Sequence, residues 1–93
     1  MTDGSPYELV LTPPAVRATR SGLPQGVAAA VIEFLTGALV DNPHRVGTPL
    51  RAELTGIHSA RRGTYRVLYR INDERRDVVI LRIDHRKDVY RPR

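Results

Sequence analysis

Arginines recur through the last third of this chain at spacings that suit phosphate binding. They stand at Arg61, Arg62, Arg66 and Arg70, and then at Arg82, Arg86 and Arg91. From Ile57 onward there are eleven cations and five acids, a net +6, while the first 56 residues hold four cations and five acids, a net −1. The whole formal charge of +5 therefore sits on one end of the chain. Arginines at alternate positions of a strand project from one sheet face as a fixed array. Each guanidinium fork matches a pair of anionic oxygens, and its charge is permanent. The chemistry this array suits is the gripping of phosphates, so an anionic partner is expected, nucleic acid before lipid. A lipid-surface protein would gather its cations on one amphipathic helix, and that pattern is missing.

The elements that must hold these arginines can be read from periodicity. Tyr7 to Thr12 reads as a strand that Pro13-Pro14 ends. Thr12 is placed to cap a short helix with both prolines in its first turn, and Ser21-Gly22 closes it. A longer helix starts near Pro24. Val27, Val31, Phe34, Leu35, Ala38 and Leu39 make its apolar stripe, and Asn42-Pro43 stops it. Residues 43–50 read as loop, and Arg51 to Leu54 as a short turn. Three strands follow: Gly56 to Arg61, Tyr65 to Ile71, and Val78 to Ile83. Arg62-Gly63 reads as the tight turn between the first two. In the middle strand Tyr65, Val67, Tyr69 and Ile71 share one face, and Arg66, Leu68 and Arg70 the other. The last strand is apolar on both faces, which places it inside the sheet. Residues 84–93 read as a charged tail.

The order β-α-α-β-β-β implies an α+β fold: a small, mostly antiparallel four-stranded sheet with two N-terminal helices on one face. Residues 1–93 are expected to form one domain. Two helices cover one face of such a sheet and leave the other for the arginines. The chain has no cysteine, which excludes disulfides, thiolate metal sites and a cysteine nucleophile. Its three histidines are scattered, so no metal site and no cofactor are expected. No signal peptide and no membrane span is visible, and a cytoplasmic protein is expected.

Several blocks of the chain resemble one family. Leu50 and Leu54-Thr55-Gly56 are followed by Arg61-Arg62-Gly63-Thr64-Tyr65-Arg66-Val67-Leu68-Tyr69, and then by Asp84-His85-Arg86-Lys87-Asp88-Val89-Tyr90. The pattern R-x-G-x-Y-R-x-x-Y and then H-R-x-x-V-Y resembles the RelE/ParE superfamily of bacterial toxins, RelE-type members above all. The resemblance extends over nearly the whole chain. It implies a toxin of a type II toxin–antitoxin system: a metal-independent endoribonuclease that cuts messenger RNA in the ribosomal A site. In that reaction the 2′-hydroxyl attacks the adjacent phosphate, leaving a 2′,3′-cyclic phosphate and a 5′-hydroxyl. It also implies a cognate antitoxin that covers the basic surface. The ParE branch, which poisons DNA gyrase, shares much of the pattern and is the alternative. A degenerate toxin that only binds its antitoxin is another.

By the same resemblance, Arg66 holds the scissile phosphate and Arg86 is a phosphate ligand or general acid. Tyr90 stacks on or orients a base, and Arg61 is the cation before the hairpin glycine. Arg62, Arg82, His58 and Lys87 are further candidate contacts to RNA phosphates. One departure stands out. Where RelE-type members carry paired lysines on the strand into the hairpin, this chain has Ile57, His58, Ser59 and Ala60, and Lys87 is its only lysine.

In-line cleavage needs a proton acceptor for the 2′-hydroxyl, a stabiliser for the phosphorane and a proton donor for the leaving oxygen. Arginines suit the second role and not the others. His58, His85 and Tyr90 remain as bases, and His85 or His58 is favoured because an unperturbed histidine titrates at about 6.5. Plainer roles compete. Arg66 could pair with Glu53 or Asp84 on a solvated face, Tyr90 could latch the tail onto the sheet, and Arg62 could simply flank the turn. His58-Ser59 with Asp84 suggests a hydrolase triad on paper, but no G-x-S-x-G elbow accompanies it.

Overall fold

Strand and helix formation follow the two hydrophobic periods of the sequence. The computed structural model describes residues 6–85. β1 (Glu8–Leu11) leads into α1 (Pro13–Arg17), whose continuation over Ala18–Gly22 widens to π geometry. α2 (Gln25–Phe34) widens in the same way over Leu35–Leu39. A four-residue α3 (Pro43–Val46) and a two-residue β2 (Thr48–Pro49) come next, then a 3₁₀ turn at Ala52–Leu54. β3 (His58–Arg62), β4 (Tyr65–Asn72) and β5 (Asp77–His85) complete the described chain.

The sheet has five strands in the order β1-β5-β4-β3-β2. The α+β architecture is as expected, but the strand count is one higher than the sequence suggested. The extra strand lies where residues 43–50 read as loop. Pro43 occupies the first turn of α3, where a missing N–H costs nothing. Thr48 and Pro49 then pair antiparallel with Ser59 and His58 at the sheet edge, the position that tolerates proline. β3, β4 and β5 form an antiparallel meander, and β1 joins β5 in parallel. β5 thus has a neighbour on each side, in keeping with its apolar run.

Thr12 does not act as a side-chain cap. Prolines at the start of α1 remove N–H groups that a cap would serve. The Thr12 hydroxyl donates instead to the Ile80 carbonyl at 2.7 Å, with that of Leu81 at 3.1 Å, and so ties the β1–α1 corner to β5.

The core lies between the helices and one sheet face. Val31, Phe34, Leu35 and Leu39 pack against Tyr65, Val67, Tyr69, Val78, Ile80 and Ile83. Burial of each large aliphatic or aromatic side chain contributes about 1.5–3 kcal/mol. β5 keeps its apolar residues inward by means of a bulge. Leu68 pairs with Arg82 and Tyr69 with Ile80, so Leu81 is the unpaired extra residue. The inward set therefore runs Val78, Ile80, Ile83, His85, all buried.

Candidate phosphate-binding face

The β3–β4 turn decides which arginines stand opposite one another. Arg62 pairs with Tyr65, so the two-residue turn is Gly63-Thr64 and not Arg62-Gly63. Gly63 has φ 56°, as expected when glycine is the first central residue of a two-residue hairpin turn. Moving a two-residue turn by one position shifts the cross-strand register by two, which changes the partners and leaves each side chain on its face. In the observed register Arg61 lies directly opposite Arg66, and Ser59 opposite Leu68. Across the next ladder Arg66 faces Asp84 and Leu68 faces Arg82. Arg61, Arg66, Arg70, Arg82 and Asp84 consequently share the sheet face that carries no helix.

Arg61, Arg66, Arg70 and Arg82 are all exposed. Among the described residues, Arg61, Arg66 and Arg70 form no ion pair. Arg82 is engaged: its Nε donates to Asp84 Oδ1 at 2.8 Å. The alternative partnership of Arg66 with Glu53 or Asp84 is not seen. Like charges directly opposite in a ladder are destabilising by roughly 0.2–1 kcal/mol, and the Arg61–Arg66 pair carries that cost with no acid among the described residues bridging it. Two forks held side by side on rigid strands can clamp one phosphate from two directions.

The remaining candidates divide. Arg62 and His58 point to the helix-covered face. The Arg62 guanidinium lies 4.6 Å from the Phe34 ring centroid and overhangs an apolar groove of about 860 Å³ lined by Pro24, Val27, Ala30, Phe34, Ala38 and Tyr65. His58 stacks on Tyr69 at 5.5 Å and meets His44 edge-on at 5.9 Å. Its Nδ1 is buried without a hydrogen-bond partner, and burial lowers its pKa, with His44 adding to the shift. His85 is only 5% exposed, on the inward side opposite Tyr65. None of His58, Arg62 and His85 joins the Arg61–Arg66 group. Arg86, Lys87 and Tyr90 lie outside the described residues.

His44 belongs to a separate cluster. Its Nε2 lies 2.9 Å from Asp73 Oδ1, which also accepts from the Tyr7 hydroxyl at 2.6 Å. The Tyr7 hydrogen bond, with His44 second, holds the Asp73 carboxyl below its ordinary value. Among the described residues no three His, Cys, Asp or Glu side chains gather as metal ligands would. No helix among them is long and apolar enough to cross a membrane.

Sequence reasoning left two residues of this face out of the site. Arg70 was legible, since it alternates with Arg66 through Leu68. Asp84 was not, because the bulge that sets its side lies between Ile80 and Arg82, where the sequence shows only an apolar run.

Comparison with known proteins fits this geometry to a family. Residues 15–90 match the profile of the ParE toxin of type II toxin–antitoxin systems. The chain is 57% identical over 86 residues to toxin RelG of Mycobacterium tuberculosis, covering 92% of this chain and 98% of that one. It is 48% identical over 91 residues to toxin RelE of the same organism, covering 98% and 93%. The toxin–antitoxin complex RelBE2 of M. tuberculosis contains a chain that superposes with a TM-score of 0.84 at 56% identity, covering 88% of this chain and 100% of that one. The isolated Escherichia coli RelE toxin shares the fold alone, with a TM-score of 0.68 at 17% identity over 85% of this chain and 83% of that one. This chain belongs to the RelE/ParE superfamily of type II toxin–antitoxin toxins, on its RelE side.

Proposed function

We propose that this toxin is a metal-independent endoribonuclease that cuts messenger RNA in the ribosomal A site and is held inactive by a cognate antitoxin. The observation that carries the reading is the exposed cross-strand pair Arg61–Arg66, free of ion pairs among the described residues. That pair stabilises the charge that builds on phosphorus as the 2′-oxygen attacks, and fixed charge in place before the reaction is the strongest such device. The ribosome contributes by holding the 2′-hydroxyl in line with the scissile bond. Arg86 and Tyr90 belong to the same proposal as phosphate ligand and base-orienting group. The RelBE2 relative crystallised with its antitoxin, which supports an antitoxin as this chain's partner.

The test maps RNA ends in cells expressing the chain. New 5′-hydroxyl ends in ribosome-bound messages are expected, and Arg66→Ala should abolish both the ends and the growth arrest. Double-strand DNA breaks without new RNA ends would instead assign the chain to the gyrase-poisoning branch. Full toxicity of Arg66→Ala would remove the arginine pair from the mechanism.

A further inference from the structure

Among the described residues, Asp84 is the one acid that the ladders bring beside the phosphate-gripping arginines. It pairs across β4–β5 with Arg66, yet no ion pair joins the two. Its Oδ1 accepts from Arg82 Nε at 2.8 Å, and its side chain is 26% exposed against 68% for Arg82. The second oxygen, Oδ2, has no hydrogen-bond partner among the described residues. The other acids on this sheet face, Glu8 and Asp77, oppose each other at the far end of the strands, about 20 Å away at the usual strand rise.

A carboxylate here repels the anion that the arginines attract. For a surface that only binds RNA it is a defect. For a surface that cleaves RNA it is a proton acceptor, which the arginines of this face are not. The strand position that faces Leu68 on this side is Ser59, with no amine to accept a proton. The histidines are on the wrong side: His58 stacks on Tyr69 against the helices, and His85 is buried there too. An ionised carboxylate accepts protons and nothing else, and Arg82 holds this one in a fixed orientation with one oxygen left over.

We propose that Asp84 is the general base of the cleavage, an inference that rests on the nuclease reading above. Its Oδ2 takes the proton of the ribose 2′-hydroxyl as the 2′-oxygen bonds to the adjacent phosphorus. The bond from phosphorus to the 5′-oxygen breaks, and that oxygen takes a proton from water. The hydroxide so formed recovers the proton from Asp84. The products are a 2′,3′-cyclic phosphate and a 5′-hydroxyl, with no net change in protons. Arg82 is a positioning residue, acting through Asp84.

Single-turnover cleavage of ribosome-bound messenger RNA by the purified chain tests this, beside its affinity for the same complex carrying a 2′-deoxy residue at the cut site. Asp84→Asn should slow cleavage by about 10²–10⁴-fold, the usual contribution of a general base. Its affinity should stay equal or rise, because a repulsive charge is gone, and its melting temperature should be unchanged. Asp84→Glu keeps a carboxylate and should cleave within about tenfold of the unmodified chain, a loss well short of that for the amide. The proposal fails if Asp84→Asn cleaves within threefold of the unmodified chain, if its rate falls in step with affinity or melting temperature, or if Asp84→Glu is as slow as the amide. Cleavage by the unmodified chain together with any of these results leaves the nuclease reading standing. No cleavage by the unmodified chain overturns that reading and the base with it.

Discussion

Tyr69 joins the core to a polar corner through one hydroxyl. Its O–H donates to the Pro43 carbonyl at 2.7 Å, and burial pushes its pKa up to about 12, so it remains a donor at any ordinary pH. Gly47 leaves room for it: a Cβ there would run into the Tyr69 hydroxyl and come within 3.0 Å of the Ser59 carbonyl oxygen. Tyr69→Phe strips the Pro43 carbonyl of this donor and should cost about 1–3 kcal/mol. Gly47→Ala should cost about 1–3 kcal/mol by overpacking. Because both changes act on one contact, urea denaturation of the double variant should show less than their sum. Strict additivity would mean that the two residues do not share that contact. His58, stacked on the same ring, carries a pH effect. Its folded pKa is lowered, so below about pH 6.5 the unfolded chain takes up a proton that the folded chain refuses. Stability should therefore fall as the solution is acidified from pH 7 to 5. Asp73, with its carboxyl held low by Tyr7 and His44, adds a separate loss only at lower pH, as that carboxyl protonates. His58→Phe keeps a ring against Tyr69 and removes the unpartnered Nδ1, so its melting temperature should be flatter over pH 5–7. An unchanged slope there would place the titration in another group.

At the level of elements, the helices are spent on the core and the strands on the site. Leu35 and Ile32 stand three residues apart on one continuous helix, the first 1% exposed and the second 47%. Leu35→Ala should cost about 2–5 kcal/mol in a denaturation experiment, and Ile32→Ala less than about 0.5 kcal/mol. Equal costs would mean that the helix does not present the Leu35 side to the sheet. The same contrast explains what the sequence disclosed. The stripe Val31, Phe34, Leu35, Leu39 and the alternation Tyr65, Val67, Tyr69 fixed the helix-on-sheet packing without coordinates, because burial imposes those periods directly. Arg66 and Arg70 followed from the same alternation. The cross-strand partners of β3 did not follow, because they depend on whether the turn is Arg62-Gly63, which would set Arg61 opposite Thr64, or Gly63-Thr64, which sets it opposite Arg66. Arg62 and His58, read from the sequence as candidate phosphate contacts, stand opposite Tyr65 and Tyr69 on the helix-covered face. β2 escaped notice for a different reason: two residues containing a proline have no period to detect. Pairing of β1 with β5, whose partners are 69 positions apart in sequence, leaves no local trace either.

Charge is where the whole molecule differs most from its parts. The first 56 residues carry a net −1 and the rest a net +6, of which Ile57 to His85, the described meander, holds seven cations and four acids, a net +3. Among the described residues the open sheet face carries Arg61, Arg66, Arg70 and Arg82 near Asp84, and if the proposed function holds this excess of positive charge should attract RNA to that face. Each phosphate contact releases counterions, so affinity for single-stranded RNA should fall with salt at a log–log slope of about −0.7 per contact. Arg61, Arg66 and Arg70 are the arginines of that face without an ion pair among the described residues, and three contacts give a slope near −2 by the same rule. Arg66→Ala should reduce the slope by roughly 0.7. Arg17→Ala, which removes a cation from the end of α1, should leave it unchanged. Arg66→Ala removes the repulsion from Arg61 together with the attraction of Asp84 across the other ladder, so the stability should move by less than about 1 kcal/mol. Weaker RNA binding with the fold's stability nearly unchanged is the signature of a charge placed for binding and not for packing. A slope indifferent to salt, or an Arg17→Ala effect equal to that of Arg66→Ala, would show that the open face does not grip phosphate.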